Sequence, residues 1–165
     1  MTQEITLATP EDTHAFGELL GAVLVPGDLV ILDGALGAGK TALTKGIASG
    51  MGVTDMIMSP TFVIARVHRS ARPGGATLVH VDAYRLAGAL ELDDLDLDTD
   101  LAAAAVVIEW GQGRAEQLAD DHLVVRLERH ADDTRTAVLE GTGLRWSALA
   151  QRLVGEWSEP VRERL

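Results

Sequence analysis

The sequence predicts an α/β protein, one domain over residues 1–165, in which helices flank a sheet of mixed parallel and antiparallel strands. Three observations carry this expectation. Strand-like and helix-like stretches alternate through the first third of the chain, a pattern that asks for parallel strands joined by helical crossovers. Paired strand-like runs around turn-rich spacers come later and ask for hairpins, hence antiparallel neighbours. Finally, 47% of the 165 residues are apolar, with no internal repeat or low-complexity linker to divide the core they would form.

The elements follow in order. Residues 4–8 read as a strand, residues 10–24 as a helix with Ala15, Leu19, Leu20 and Val23 at helical spacing, and residues 28–32 as a second strand. Residues 41–51 read as a helix stopped by Gly50 and Gly52. Residues 62–68 and 77–81 are strands around the turn-rich segment from Ser70 to Gly75, and so form a hairpin. Residues 83–101 are expected to be helical in part, and 104–108 are apolar throughout, as in a buried strand. Residues 122–128 and 136–140 make a second hairpin, and 144–157 a closing helix.

Composition excludes several classes. The chain has no cysteine, so neither disulfides nor thiolate metal sites arise. Its start, MTQEITLATPED, lacks the basic flank and apolar run of a signal peptide, and no apolar run approaches the ~18 residues of a membrane span. A soluble, cytoplasmic protein with no membrane contact is expected. With 25 acidic residues against 14 basic ones, the net charge of −11 repels phosphate backbones. Any RNA would have to be held by a partner.

Against that background both lysines, Lys40 and Lys45, fall directly behind a cluster of glycines. The residues Gly34, Ala35, Leu36, Gly37, Ala38, Gly39, Lys40 and Thr41 fit G-x-x-x-x-G-K-[ST], between a predicted strand and a predicted helix. The order is chemical. Glycines allow the backbone to turn its N–H groups onto phosphate oxygens, and the helix that follows, with Ala42 in its first turn, presents its positive end. Lys40 then reaches the β- and γ-phosphates and Thr41 offers a hydroxyl to Mg²⁺. A P-loop NTPase is the class this defines, whereas Lys45, farther along the helix, reads as a solvated surface residue.

Such a loop needs a carboxylate for its metal at the end of a neighbouring strand. Asp82 and Glu109 each stand where an apolar run gives way to polar residues, the ligand-bearing edge of an open α/β sheet. Thr61, within Ser59-Pro60-Thr61-Phe62, lies in the interval where nucleotide switches place a γ-phosphate-sensing hydroxyl, although Ser-Pro before a strand is ordinarily a turn. His80 shares a face with Asp82 and reads as a packed or capped histidine. Trp110 offers a ring to a base or to the core. The acidic run from Glu91 to Asp100 reads as a solvated helix or loop.

Taken together, Leu36-Gly-Ala-Gly-Lys-Thr41, Ser59-Pro-Thr-Phe62, His80-Val-Asp82-Ala-Tyr84-Arg85 and Ile108-Glu109-Trp110, in this order, resemble the TsaE family of bacterial tRNA threonylcarbamoyladenosine biosynthesis ATPases. The resemblance covers about residues 9–140. It implies ATP and Mg²⁺ as cofactors, with Lys40 and Thr41 as the phosphate and metal contacts and Glu109 as the second metal contact. It also implies that Asp82 is needed for hydrolysis, that Thr61 is the switch hydroxyl, and that Pro10 and Thr13 contribute to the adenine site. The implied partners are a threonylcarbamoyl-transferase subunit and its scaffold, with tRNA touched only through that complex. Ala42 stands where the family often has a second threonine and Gly111 where it often has proline; neither is a proposed ligand. A GTPase is disfavoured, since the chain has no asparagine for an N-K-x-D guanine site. A P-loop small-molecule kinase, or a binding module gated by nucleotide, would share the same loop.

Overall fold

The computed structural model describes residues 2–35, 37–54, 57, 65–82, 103–109 and 119–158. Its elements run β1 (Thr2–Leu7), α1 (Pro10–Val23), β2 (Leu29–Gly34), α2 (Lys40–Gly50), β3 (Ala65–His68), β4 (Thr77–Asp82), β5 (Ala104–Glu109), β6 (His122–Arg129), β7 (Arg135–Thr142) and α3 (Leu144–Ser158). The strands form one seven-stranded sheet in the order β1-β7-β6-β2-β5-β4-β3. The four strands β6, β2, β5 and β4 are mutually parallel. Antiparallel pairs β6–β7, β7–β1 and β4–β3 complete the two sides. Mixed direction, helical crossovers and both hairpins agree with the sequence. The expected helix within 83–101 and the acidic run 91–100 lie outside the described residues.

The three helices pack on one face of the sheet. Phe16, Leu20, Leu43, Ile47, Trp146 and Leu153 join Val30, Leu32, Leu78, Val107, Val125 and Leu139 in one buried cluster. Leu29, Ile31, Val79, Val81, Val106 and Ile108 form a second cluster, so β2, β4 and β5 are apolar on both sides, as central parallel strands are. The closing helix is stapled to the sheet's start. Arg145 donates Nε to Asp28 Oδ1 at 2.9 Å and Nη2 to Asp28 Oδ2 at 2.7 Å, and that contact raises the Arg145 pKa above its ordinary value. Trp157 meets Phe16 edge-on at 5.7 Å and donates its indole N–H to the Thr6 carbonyl at 3.2 Å.

Helix α1 begins where local chemistry dictates. Thr9 Oγ1 accepts from the Asp12 N–H and Asp12 Oδ2 from the Ala8 N–H, both at 3.1 Å, with Pro10 as the first helical residue. The most buried side of α1 is centred on its glycines. Thr13, Phe16, Gly17, Leu20 and Gly21 are buried, while Ala15, Leu19 and Val23 are only partly so. Gly17 on α1 faces Gly46 on α2, while Gly21 and Gly50, one helical turn on in each helix, face the backbones of Ile47 and Glu18, and the two helices touch there. A methyl group at Gly17 would stand 2.5 Å from the Leu43 carbonyl oxygen, and one at Gly46 would run into the His14 carbonyl. Gly50 therefore serves contact inside α2 as its last residue, and the helix is capped at Met51.

Because the obstructing atoms are backbone, neither helix can yield without moving the sheet contacts behind it. Gly46→Ala is therefore expected to lower stability by about 1–3 kcal/mol despite alanine's better helix propensity. Urea unfolding with an unchanged or higher midpoint would show that the interhelical contact is not the constraint.

Candidate functional site

Strand β2 hands over directly to the glycine-rich turn. Gly37 (φ 82°) and Gly39 (φ 112°) lie in the left-handed region, where a side chain would strain the backbone. Gly39 is also the N-cap of α2 and, as a glycine, supplies no side-chain acceptor to the first turn of the helix. Lys40, nearly buried, folds back across the turn and donates Nζ to the carbonyls of Gly34 at 2.6 Å and Ala35 at 3.0 Å. Thr41 and Ala42 follow as the second and third residues of α2, both partly buried. Ala38 is buried, with its N–H on the Ala35 carbonyl at 3.0 Å. Leu36 lies outside the described residues. Lys45 is exposed, as the sequence predicts.

The sheet register brings both candidate carboxylates to this edge. Leu32 of β2 sits opposite Glu109 of β5, and Glu109 sits opposite Asp82 of β4. Parallel neighbours lie about 4.8 Å apart, so Glu109 is one strand from the glycine turn and Asp82 about twice that distance. The strands run to these residues and do not stop one short, as the sequence had them at 81 and 108. Glu109 is buried, and its Oε2 lies 2.5 Å from Nε2 of His80, which has no exposure at all. His80 is thus packed, as expected, and also partnered. Thr61 and Trp110 lie outside the described residues.

Helix α1 and the second hairpin close the other side. Thr13 is fully buried, and its Oγ1 has no hydrogen-bond partner among the described residues. A methyl group at Gly39 would stand 3.6 Å from Thr13 Cγ2 and 3.2 Å from Arg135 Nε, so that glycine is held between α1 and β7. Pro10 opens the same helix and is exposed.

Arg135 is the residue that sequence reasoning missed. Buried, and 97 positions from its acceptor, it donates Nε to the Ala38 carbonyl at 3.1 Å and Nη1 to the Asp133 carbonyl at 3.1 Å. No local motif marks it; only the register, which sets Arg135 against Arg129, puts two arginines at this edge. Arg129 pairs with Asp133 at 2.7 Å. The Asp132 carboxyl in the same turn is held below its usual range by hydrogen bonds from the Thr134 hydroxyl at 2.6 Å and amide at 3.1 Å. A lowered carboxyl stabilises the turn above its ordinary pKa and loses that contribution as pH falls through the folded value. A cavity of about 500 Å³ opens between Ala35 and Ala38 on one side and Leu127, Arg129 and His130 on the other.

One parallel-centred sheet, a left-handed glycine turn running into a helix, a lysine folded over that turn and acidic residues at the ends of two neighbouring strands make this a single-domain α/β protein with its candidate site at one edge of the sheet. The family model described as "Threonylcarbamoyl adenosine biosynthesis protein TsaE" matches residues 7–137, and the chain belongs to the TsaE family. It is 58% identical over 139 residues to the protein of that name from Mycobacterium bovis, covering 80% of this chain and 83% of that one. The Streptomyces coelicolor relative is 51% identical, covering 79% and 91% of the two chains, and the Bacillus subtilis relative is 38% identical, covering 87% and 89%. The crystal structure of Bacillus subtilis YdiB superposes with a TM-score of 0.74 at 31% identity, over 93% of this chain and 94% of that one. No helix among the described residues is long and apolar enough to cross a membrane.

Removing the Arg135 side chain leaves the Ala38 carbonyl without this donor and the turn tied on one side only. Arg135→Ala is expected to cost about 1–3 kcal/mol of stability and to speed hydrogen exchange at the amides of residues 38–43. Wild-type exchange there would mean that Arg135 does not hold the turn.

Proposed function

We propose that the chain is a Mg²⁺-dependent ATPase that supports N6-threonylcarbamoylation of adenosine 37 in tRNAs reading codons beginning with A. It would act on a threonylcarbamoyl-transferase subunit and its scaffold partner. The observation that carries this is the shared edge: a left-handed glycine turn and α2 N-terminus, with Lys40 across it and Glu109 one strand away. Family membership supplies the pathway.

The residues suit each part of the ligand. Amides of the turn and Lys40 would take the phosphates of ATP, and the cavity beside Ala35 and Arg129 offers room for the nucleoside, with Thr13 and Pro10 on the α1 side. The Thr41 hydroxyl and the Glu109 carboxylate are hard oxygen donors. Among the described residues no group of three or more His, Cys, Asp or Glu side chains forms a cage, and Mg²⁺ in nucleotide sites takes few protein ligands, completing its shell with phosphate and water. When bound, the metal neutralises charge that develops on the phosphates. Asp82, one strand beyond Glu109 in the register, would act on the attacking water, and Thr61, outside the described residues, would be the γ-phosphate sensor. Water attacks the γ-phosphorus, the bond to the β-phosphate oxygen breaks, and ADP, phosphate and a proton leave.

Lys40→Ala is expected to weaken ATP binding by the roughly 1.5–3 kcal/mol of a charge-assisted contact, and unchanged affinity by calorimetry would remove Lys40 from the site. Glu109→Ala should lose metal-dependent hydrolysis yet retain nucleotide, because the amides and Lys40 remain. If Asp82→Ala alone abolished metal binding, the two carboxylates would exchange roles. The net charge of −11 makes direct tRNA contact unfavourable, so hydrolysis should rise with the transferase and scaffold subunits and not with tRNA alone. Equal stimulation by tRNA alone would favour a direct RNA-binding ATPase.

A further inference from the structure

We infer that His80 is a positioning residue that fixes one oxygen of Glu109 so that the other faces the metal, an inference that rests on the nucleotide reading above. The geometry is specific. His80 pairs in register with Val107 and Glu109 with Asp82, so His80 and Glu109 lie two residues apart along one sheet face, on adjacent strands. On that face the neighbouring positions Leu78, Ala105, Val107 and Leu32 are all buried apolar residues. The two side chains lean toward each other over this apolar floor, and Nε2 meets Oε2 at 2.5 Å with both residues almost wholly out of water.

A buried carboxylate needs a donor, and here the donor is an imidazole N–H. Among the described residues Oε1 takes no hydrogen bond, so the pair has one engaged oxygen and one available to a cation. His80 Nδ1 has no partner among the described residues either, so the contact with Glu109 is the hydrogen bond that sets the ring's orientation. Placing the N–H on Nε2 and the lone pair on Nδ1 satisfies it, since an orphaned acceptor is better tolerated than an orphaned donor. Strand β4 holds the His80 backbone between β3 and β5, and the neighbouring positions on its face are buried apolar residues. Glutamate has three side-chain torsions, and holding one oxygen removes most of that freedom before any metal arrives. Partners that orient a ligating carboxylate in this way commonly account for a 10- to 100-fold difference in metal affinity.

The test separates metal binding from nucleotide binding. A fluorescent ATP analogue is titrated into the full chain and into His80→Leu, His80→Gln and His80→Asn, first in EDTA and then across a Mg²⁺ series, with circular dichroism and thermal melts to confirm folding. In EDTA all four proteins should bind the analogue within about twofold of one another, because the turn and Lys40 are untouched. In the Mg²⁺ series His80→Leu should need about 10- to 100-fold more metal. Glutamine carries an amide N–H at the reach of Nε2 and should recover much of that loss, whereas the shorter asparagine should not. A folded His80→Leu protein with wild-type Mg²⁺ dependence would overturn the assignment while leaving the nucleotide reading intact. Should the leucine variant fail to fold, equal Mg²⁺ dependence in the glutamine and asparagine variants would overturn it instead. An unaltered chain that binds no analogue in either condition would overturn the nucleotide reading, and this inference with it.

Discussion

Two helical backbones in direct contact set the terms for everything at the sheet's edge. Helix α2 is held against α1 because Gly17 meets Gly46, Gly21 meets the Ile47 backbone and Gly50 the Glu18 backbone, with main-chain carbonyls as the nearest atoms. The glycine turn is the N-terminal continuation of that clamped helix. Its position is therefore fixed from the far end, and at the near end by the bond from Arg135 to the Ala38 carbonyl. A turn made of left-handed glycines would be floppy alone; here both of its supports are buried. The entropy cost of ordering it is met during folding, which leaves less to be lost when a ligand binds.

The same clamp explains the crowding around Gly39. With α1 drawn against α2, Thr13 arrives beside the last glycine of the turn, while Arg135 arrives from β7 on the other flank. Three segments far apart in sequence thus converge on one residue. Glycine at 39 answers two demands at once, a φ of 112° and a space between two side chains.

The glycine turn, Lys40 and the two strand-end carboxylates were legible because each is signalled locally, by a motif or by a change from apolar to polar residues. The mixed sheet was legible as well, since helical crossovers and turn-rich hairpins leave different patterns. Arg135 was not, for its partner is a main-chain carbonyl 97 positions away, and nothing near it in sequence differs from an ordinary hairpin arginine. The glycine contact of α1 was not legible for a related reason. Apolar spacing marked Ala15, Leu19, Leu20 and Val23, and all four pack on the core, Leu20 fully, but glycines carry no apolar signal and their contact shows only once two helices close. His80 was read as packed, which it is, but its partner depends on the β4–β5 register, and register is a tertiary fact.

The edge that results is polarised across the turn. Arg135 and Arg129 stand on the β7–β6 side, and Glu109 and Asp82 on the β5–β4 side, in a strand order that the sheet makes rigid. On the function proposed above, that polarity gives a nucleotide one sensible direction. Its metal-bearing phosphate end belongs with the carboxylates, which repel bare phosphate but welcome it once Mg²⁺ is shared, and its nucleoside end belongs in the cavity beside the hairpin. In a chain with net charge −11, three of the basic residues, Lys40, Arg129 and Arg135, meet at this edge. The helix terminus, the backbone amides, Lys40 and two arginines supplied by topology are, on that proposal, what would face the phosphates.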